Sequence, residues 1–161
     1  TEQTPLDRFK QALTGASRAL AREAEVEVAG SADAPSSTGN NFRVPLPGRN
    51  LPSEQASEAR GFADSFALKL RHHNEASHAR GAPTEPLARA CYDAVEQIRY
   101  EALGINNFSG IAENLDAATE LRIASDPIAR AQSETDVPVQ TALSLLVREK
   151  LTGKPIPEKA Q

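Results

Sequence analysis

Apolar residues recur three or four positions apart in five separate stretches of this chain. That period places one apolar face on a helix every few turns and suits no strand. The first stretch carries Leu6, Phe9, Leu13 and Leu20, with Thr4 as helix cap, Pro5 at the first helical position and Asp7 in the first turn. Gly15 weakens it locally. The second begins at Ser53 and aligns Ala59, Phe62, Ala63, Phe66, Leu70 and His73, while Glu58, Asp64 and Arg71 fall elsewhere. Asn74 and the Gly81–Pro83 stretch stop it. In the third, Thr84 serves as cap and Leu87, Cys91, Val95, Ile98 and Ala102 form the face, ending at Gly104. Asn106-Asn107 marks a turn, after which Phe108, Ile111, Leu115 and Ala118 repeat the spacing to about Ile123. Asp126-Pro127 starts a short helical turn. The last helix starts at Val137-Pro138, with Val139, Leu143, Leu146 and Val147 expected inward, Arg148 and Lys150 in its last turn, and Gly153 with Pro155 as its stop.

Two places break the helical period. Ala24-Glu25-Val26-Glu27-Val28 alternates strictly, as does Asn41-Phe42-Arg43-Val44, and the 31–41 stretch between them is rich in Ser, Asn, Gly, Asp and Pro. The pattern predicts a small hairpin around a loop, marginal without packing support. The expected fold class is therefore mainly α: a helical bundle of about five helices with a small β-hairpin inserted after the first helix. The 161 residues form one module, 1–161, with a loose tail over 154–161. No internal repeat is visible.

Composition removes several function classes. Charged residues make up 25% of the chain, the net charge is -4 and aromatics are 4%. A nucleic-acid binder would carry a basic face and, commonly, stacking platforms. The apolar runs are too short for a membrane span, and Thr1–Lys10 is polar where a secretion signal would be apolar. The one cysteine, Cys91, has no internal disulfide partner. A cytoplasmic location is the simplest expectation, and the lack of any methionine points to a trimmed piece of a longer protein.

The search for chemistry leaves few candidates. A phosphate-cradling loop needs glycines before Lys and Ser/Thr at the mouth of a helix, whereas Gly153-Lys154-Pro155 lies at a helix C-terminus. No G-x-S-x-G elbow frames a serine. Cys91, on an apolar helical face, reads as a small structural hydrophobe. His72, His73 and His78 are the only metal-like cluster, with Asp64 and Glu75 near in sequence. Zinc-binding helices place two histidines four apart. His73 and His78 are five apart, roughly 140° on a continuous helix, so joint ligation requires the helix to end between them, which Asn74 permits. The plainer reading has His73 closing the apolar face. On the third helix Glu96, Arg99 and Tyr100 fall at i, i+3 and i+4. Such charges read first as a solvated face, and second as a partner surface, since the 84–136 stretch holds ten acids against four bases.

The run Ala94-Val95-Glu96-Gln97-x-Arg99-x-Glu101-Ala102-x-Gly104 resembles the N-terminal region of the CobT family, a subunit of the aerobic cobaltochelatase. Upstream, Ala24-Glu25-Val26-Glu27-Val28, the Pro45 and Pro47 region, and Arg60-Gly61-x-Ala63-Asp64-x-x-Ala67-Leu68-x-Leu70-x-x-His73 with His78 beyond carry the same resemblance. Downstream it continues through Gly110-x-Ala112-x-Asn114-Leu115 and Leu146-Val147-Arg148-Glu149-x-Leu151-Thr152-Gly153. The resemblance implies aerobic cobalamin synthesis, in which an ATP-driven ligase forming nitrogen–metal bonds inserts cobalt into hydrogenobyrinic acid a,c-diamide. It also implies two partners, the large chelating subunit CobN and the ring-forming AAA+ ATPase CobS, in a complex that uses ATP, magnesium and cobalt. The family's C-terminal von Willebrand factor A domain binds metal through a D-x-S-x-S run, which this sequence lacks, so no magnesium ligand carries over. The expectation is an N-terminal docking module without activity of its own: no catalytic residue, no cofactor-binding residue and no tight metal site. Partner-binding candidates are Glu96, Gln97, Arg99 and Glu101. The alternatives are a cobalt-handling module using His73 and His78, and a purely structural, solubilising domain.

Overall fold

A computed structural model describes residues 2–161. It is mainly helical, with six helices and a small three-stranded sheet after the first. Two compact units are distinguished, one of residues up to His72 together with Gly110–Ala118, the other of His73–Ser109 and Thr119–Gln161.

In the first unit, helix α1 (Pro5–Ala21) begins as its sequence dictates. The Asp7 N–H donates to the Thr4 hydroxyl at 3.1 Å and the Thr4 N–H donates back to the Asp7 carboxylate at 3.1 Å. This capping box satisfies two otherwise orphaned amides. It also holds the Asp7 carboxyl below its usual range, first through the backbone hydrogen bond from Thr4. The sheet differs from the expected hairpin. Strand β1 (Glu27–Gly30) pairs in parallel with β3 (Asn41–Val44), and β2 (Ser36–Thr38), inside the predicted loop, pairs antiparallel with the other side of β3. The polar composition of the 31–41 stretch hid β2. Gly39, at φ 57°, supplies the left-handed turn into β3. Helix α2 (Ser53–His72) lies under the sheet, where Phe42 and Phe66 meet with ring centroids 5.6 Å apart. The opening residues of α5 (Ile111–Ser125) complete this core, with Leu115 and Ala118 buried.

The second unit holds α3 (Glu75–Gly81), α4 (Pro86–Asn107), the remainder of α5 and α6 (Val139–Thr152). Glu85, and not Thr84, caps α4: its carboxylate accepts from the N–H groups of Leu87 and Ala88 at 3.1 and 2.7 Å, with Pro86 as the first helical residue. The helix also runs through Gly104 to Asn107. Ile123, Ile128 and Leu145 form a buried cluster against which Ile156 and Ala160 of the 154–161 tail pack.

The largest departure from the sequence reading is the orientation of α6. Leu145 and Arg148 are its buried residues, whereas Val139 and Leu146, expected inward, are 54% and 56% exposed. A physical reason is visible at Arg148, whose guanidinium donates to the Pro155 carbonyl at 3.3 Å and ties down the chain after the helix. A charged group satisfied in this way lies inside, and the opposite, more apolar stripe is left outside. Leu87, placed on the α4 core face by its spacing, is likewise 47% exposed. Among the described residues no helix is long and apolar enough to cross a membrane.

Candidate functional site

The interruption between α2 and α3 is built from one side chain. The Asn74 side-chain carbonyl accepts from the Ser77 N–H at 2.8 Å and starts α3 at Glu75, with His73 and Asn74 between it and the end of α2. His73 is thereby left at the junction and His78 is one turn into the new helix. The condition that joint ligation imposes on the sequence, a helix end between the two histidines, is met. Their ring centroids are 4.8 Å apart, edge to face.

Helix α4 supplies the rest. Tyr92 stacks on His78 with centroids 4.3 Å apart and donates its hydroxyl to the His78 carbonyl at 2.8 Å. That approach needs a glycine at 81, where any Cβ would lie 2.8 Å from the tyrosine oxygen. Asp93 meets Nε2 of His78 at 2.7 Å, and Glu96 meets Nδ1 of His73 at 3.1 Å. Nε2 of His73 faces the Glu75 carboxylate at 3.0 Å. Both histidine side chains are largely enclosed, at 8% and 10% exposure, while Glu75 and Asp93 are open to solvent. One ligand atom each from His73, His78 and Glu96 lies within 4.8 Å of the others. Glu96 is the donor that sequence reasoning missed, because it is 23 residues from His73 and no local spacing joins them.

The carboxylates here are ready anions. Arg99 donates to both oxygens of Glu96, closest at 2.6 Å, and this hydrogen bonding, aided by His73, holds the Glu96 carboxyl below its usual range despite partial burial. For Asp93 the largest influence is burial, which raises its pKa, but hydrogen bonds from His78 and Arg89 together outweigh it and leave it lowered.

The four partner-binding candidates separate. Arg99 is exposed, and Glu96 and Gln97 are half-buried. Glu101 does not belong on a solvated face: it is 5% exposed, accepts from Gln97 at 2.9 Å and pairs with Arg122 at 3.3 Å. Beside the histidines, Ala88, Cys91, Tyr92 and Val95 of α4 and Leu143 of α6 line an open groove of about 420 Å³, with Glu96 and Arg99 among its walls. Cys91 is half-buried in this groove and is not part of the core. Gly153 and Lys154 follow the C-terminus of α6, where carbonyls and not amides project.

These features define a helical protein with an enclosed histidine–carboxylate cluster and an apolar surface groove. The family model described as "Cobalamin biosynthesis protein CobT" matches residues 3–161, essentially the whole chain, and the chain belongs to this family. No solved structure matches it. Membership places the protein in cobalamin biosynthesis.

Proposed function

We propose that the chain is a non-catalytic docking module of an ATP-dependent cobaltochelatase, the ligase that inserts cobalt into hydrogenobyrinic acid a,c-diamide. In this reading it works in the cytoplasm and binds the AAA+ ATPase subunit CobS, helping to pass the nucleotide state of the ring to the chelating subunit CobN. ATP and magnesium act on the other parts of the complex. The observation that carries the reading is the open groove between α4 and α6, lined by Ala88, Cys91, Val95 and Leu143, on two helices that also leave Leu87, Val139 and Leu146 about half exposed. An open groove with a mainly apolar lining is a common mark of an interaction site. A groove between two helices suits the apolar face of a partner helix. Glu96 and Arg99 at the rim would set orientation and salt dependence.

Co-purification of the chain with CobS, and separately with CobN, is the direct test. Capture of CobS is expected. Leu87→Lys with Ala88→Lys is expected to weaken that assembly at least tenfold, about 1.4 kcal/mol, with an unchanged melting temperature because both side chains already face solvent. Ala32→Lys with Ala34→Lys, in an exposed stretch of the first unit, is the matched control. Failure to capture CobS defeats the docking reading. Capture undiminished by the Leu87 and Ala88 substitutions removes the groove from it.

A further inference from the structure

We propose that His73, His78 and Glu96 form a binding site for one divalent first-row transition-metal ion, contrary to the expectation from sequence that no tight site exists. Three observations converge. The three donors come from three separate segments, the α2–α3 junction, α3 and α4, yet their ligand atoms lie within 4.8 Å of one another. Ligands around a tetrahedral ion with bonds of about 2.0–2.1 Å are roughly 3.4 Å apart, so small side-chain rotations close the set.

Each imidazole, moreover, already has a carboxylate on its Nε2, Glu75 on His73 and Asp93 on His78. A metal-bound imidazole is held in this way, its other N–H donating to a carboxylate that fixes the tautomer and raises ligand basicity. The arrangement assigns Nδ1 of each ring to the ion, with Glu96, already beside Nδ1 of His73, as the third ligand. The third observation is preorganisation: Arg99 donates to both Glu96 oxygens, the closest at 2.6 Å, and Tyr92 stacks on His78 with ring centroids 4.3 Å apart.

The donor set also selects the ion. Two imidazoles and a carboxylate suit zinc, cobalt or nickel, whereas magnesium and calcium favour all-oxygen shells. Three protein ligands leave a position for water or an incoming ligand, which distinguishes this site from a closed structural one and permits the ion to be exchanged. The inference stands apart from the docking reading, since it concerns the chain alone.

The test is titration of the metal-free chain with cobalt(II) chloride and with zinc chloride. Expected are one ion per chain with a dissociation constant in the micromolar range or tighter, and a cobalt visible absorption band of low-symmetry character. X-ray absorption of the cobalt-loaded wild-type chain is expected to show two imidazoles in the shell. This readout needs no variant. Glu96→Gln and His78→Gln, which keep side-chain volume, are each expected to weaken binding at least tenfold with the helical circular dichroism intact, and millimolar magnesium should not compete. No saturable binding by the wild-type chain overturns the proposal, as does a cobalt shell without imidazole or binding untouched by both variants. The cluster would then be a set of ion pairs fastening α3 to α4.

Discussion

Glu101 illustrates how a single residue changes meaning once its surroundings are known. By sequence it completes a charged row with Glu96, Gln97 and Arg99. In the structure its carboxylate is enclosed with the Arg122 guanidinium and the Gln97 amide. Removing one partner of such a pair leaves an uncompensated buried charge, at a cost of about 3–5 kcal/mol, whereas an exposed pair contributes less than about 1 kcal/mol. Glu101→Lys is therefore expected to lower unfolding free energy by about 3 kcal/mol or more in denaturant titrations, by setting a second cation against Arg122. Glu101→Gln, which keeps the hydrogen-bonding shape, should cost less. A Glu101→Lys chain as stable as the wild type would return the residue to the surface. The charge reversal that probes docking consequently belongs at the exposed rim and not at this position.

At the scale of elements, the packing of α2 against α5 in the first unit depends on one missing side chain. A Cβ on Gly61 would drive into the Asn114 backbone carbonyl and lie 2.9 Å from the Ala118 methyl. Backbone does not yield as a flexible side chain does, so Gly61→Ala should destabilise by about 3 kcal/mol although alanine is the better helix former. A melting temperature that rises instead would show that the helices part without cost. The sequence announced the helices well because Thr4, Pro5 and the three-to-four spacing are local signals. It announced β2 poorly, since three strand residues in a polar stretch leave no alternation long enough to see. It misjudged the faces of α6 and the start of α4 for a related reason. Leu87, Val139 and Leu146 have the spacing of core residues, but periodicity records only that a stripe is apolar and not what covers it. The candidate metal site was half legible: His73 and His78 with Asn74 between them could be read from local sequence. The contribution of Glu96 could not, because the α3–α4 connection that brings it near leaves no trace in spacing.

For the whole molecule, three carboxylates give stability an opposing pair of pH dependences. Asp93 and Glu96 have lowered pKa values, so they stabilise the fold above the ordinary carboxylate range and that contribution fades as pH falls through their folded values. Both are partly exposed to solvent, which keeps the effect small. Asp64 acts the other way. Burial raises its carboxyl from 3.8 to about 6, against the hydrogen bond from Asn114 and the charge of Arg60. Between those two values the unfolded chain has released a proton that the folded chain retains, so stability falls as pH rises from about 4 to 6. At about 1.36 kcal/mol per pKa unit the loss reaches about 3 kcal/mol by neutral pH. Asp64→Asn removes the ionisation while keeping a partner for Asn114. Its unfolding free energy should exceed that of the wild type at pH 7.5 and converge towards it near pH 4.5, measured by urea titration at both values. A variant that is destabilised equally at the two pH values would show that Asp64 is ionised and well paired inside the fold, and would place it with Asp93 and Glu96 among the carboxylates whose protonation weakens the fold in acid.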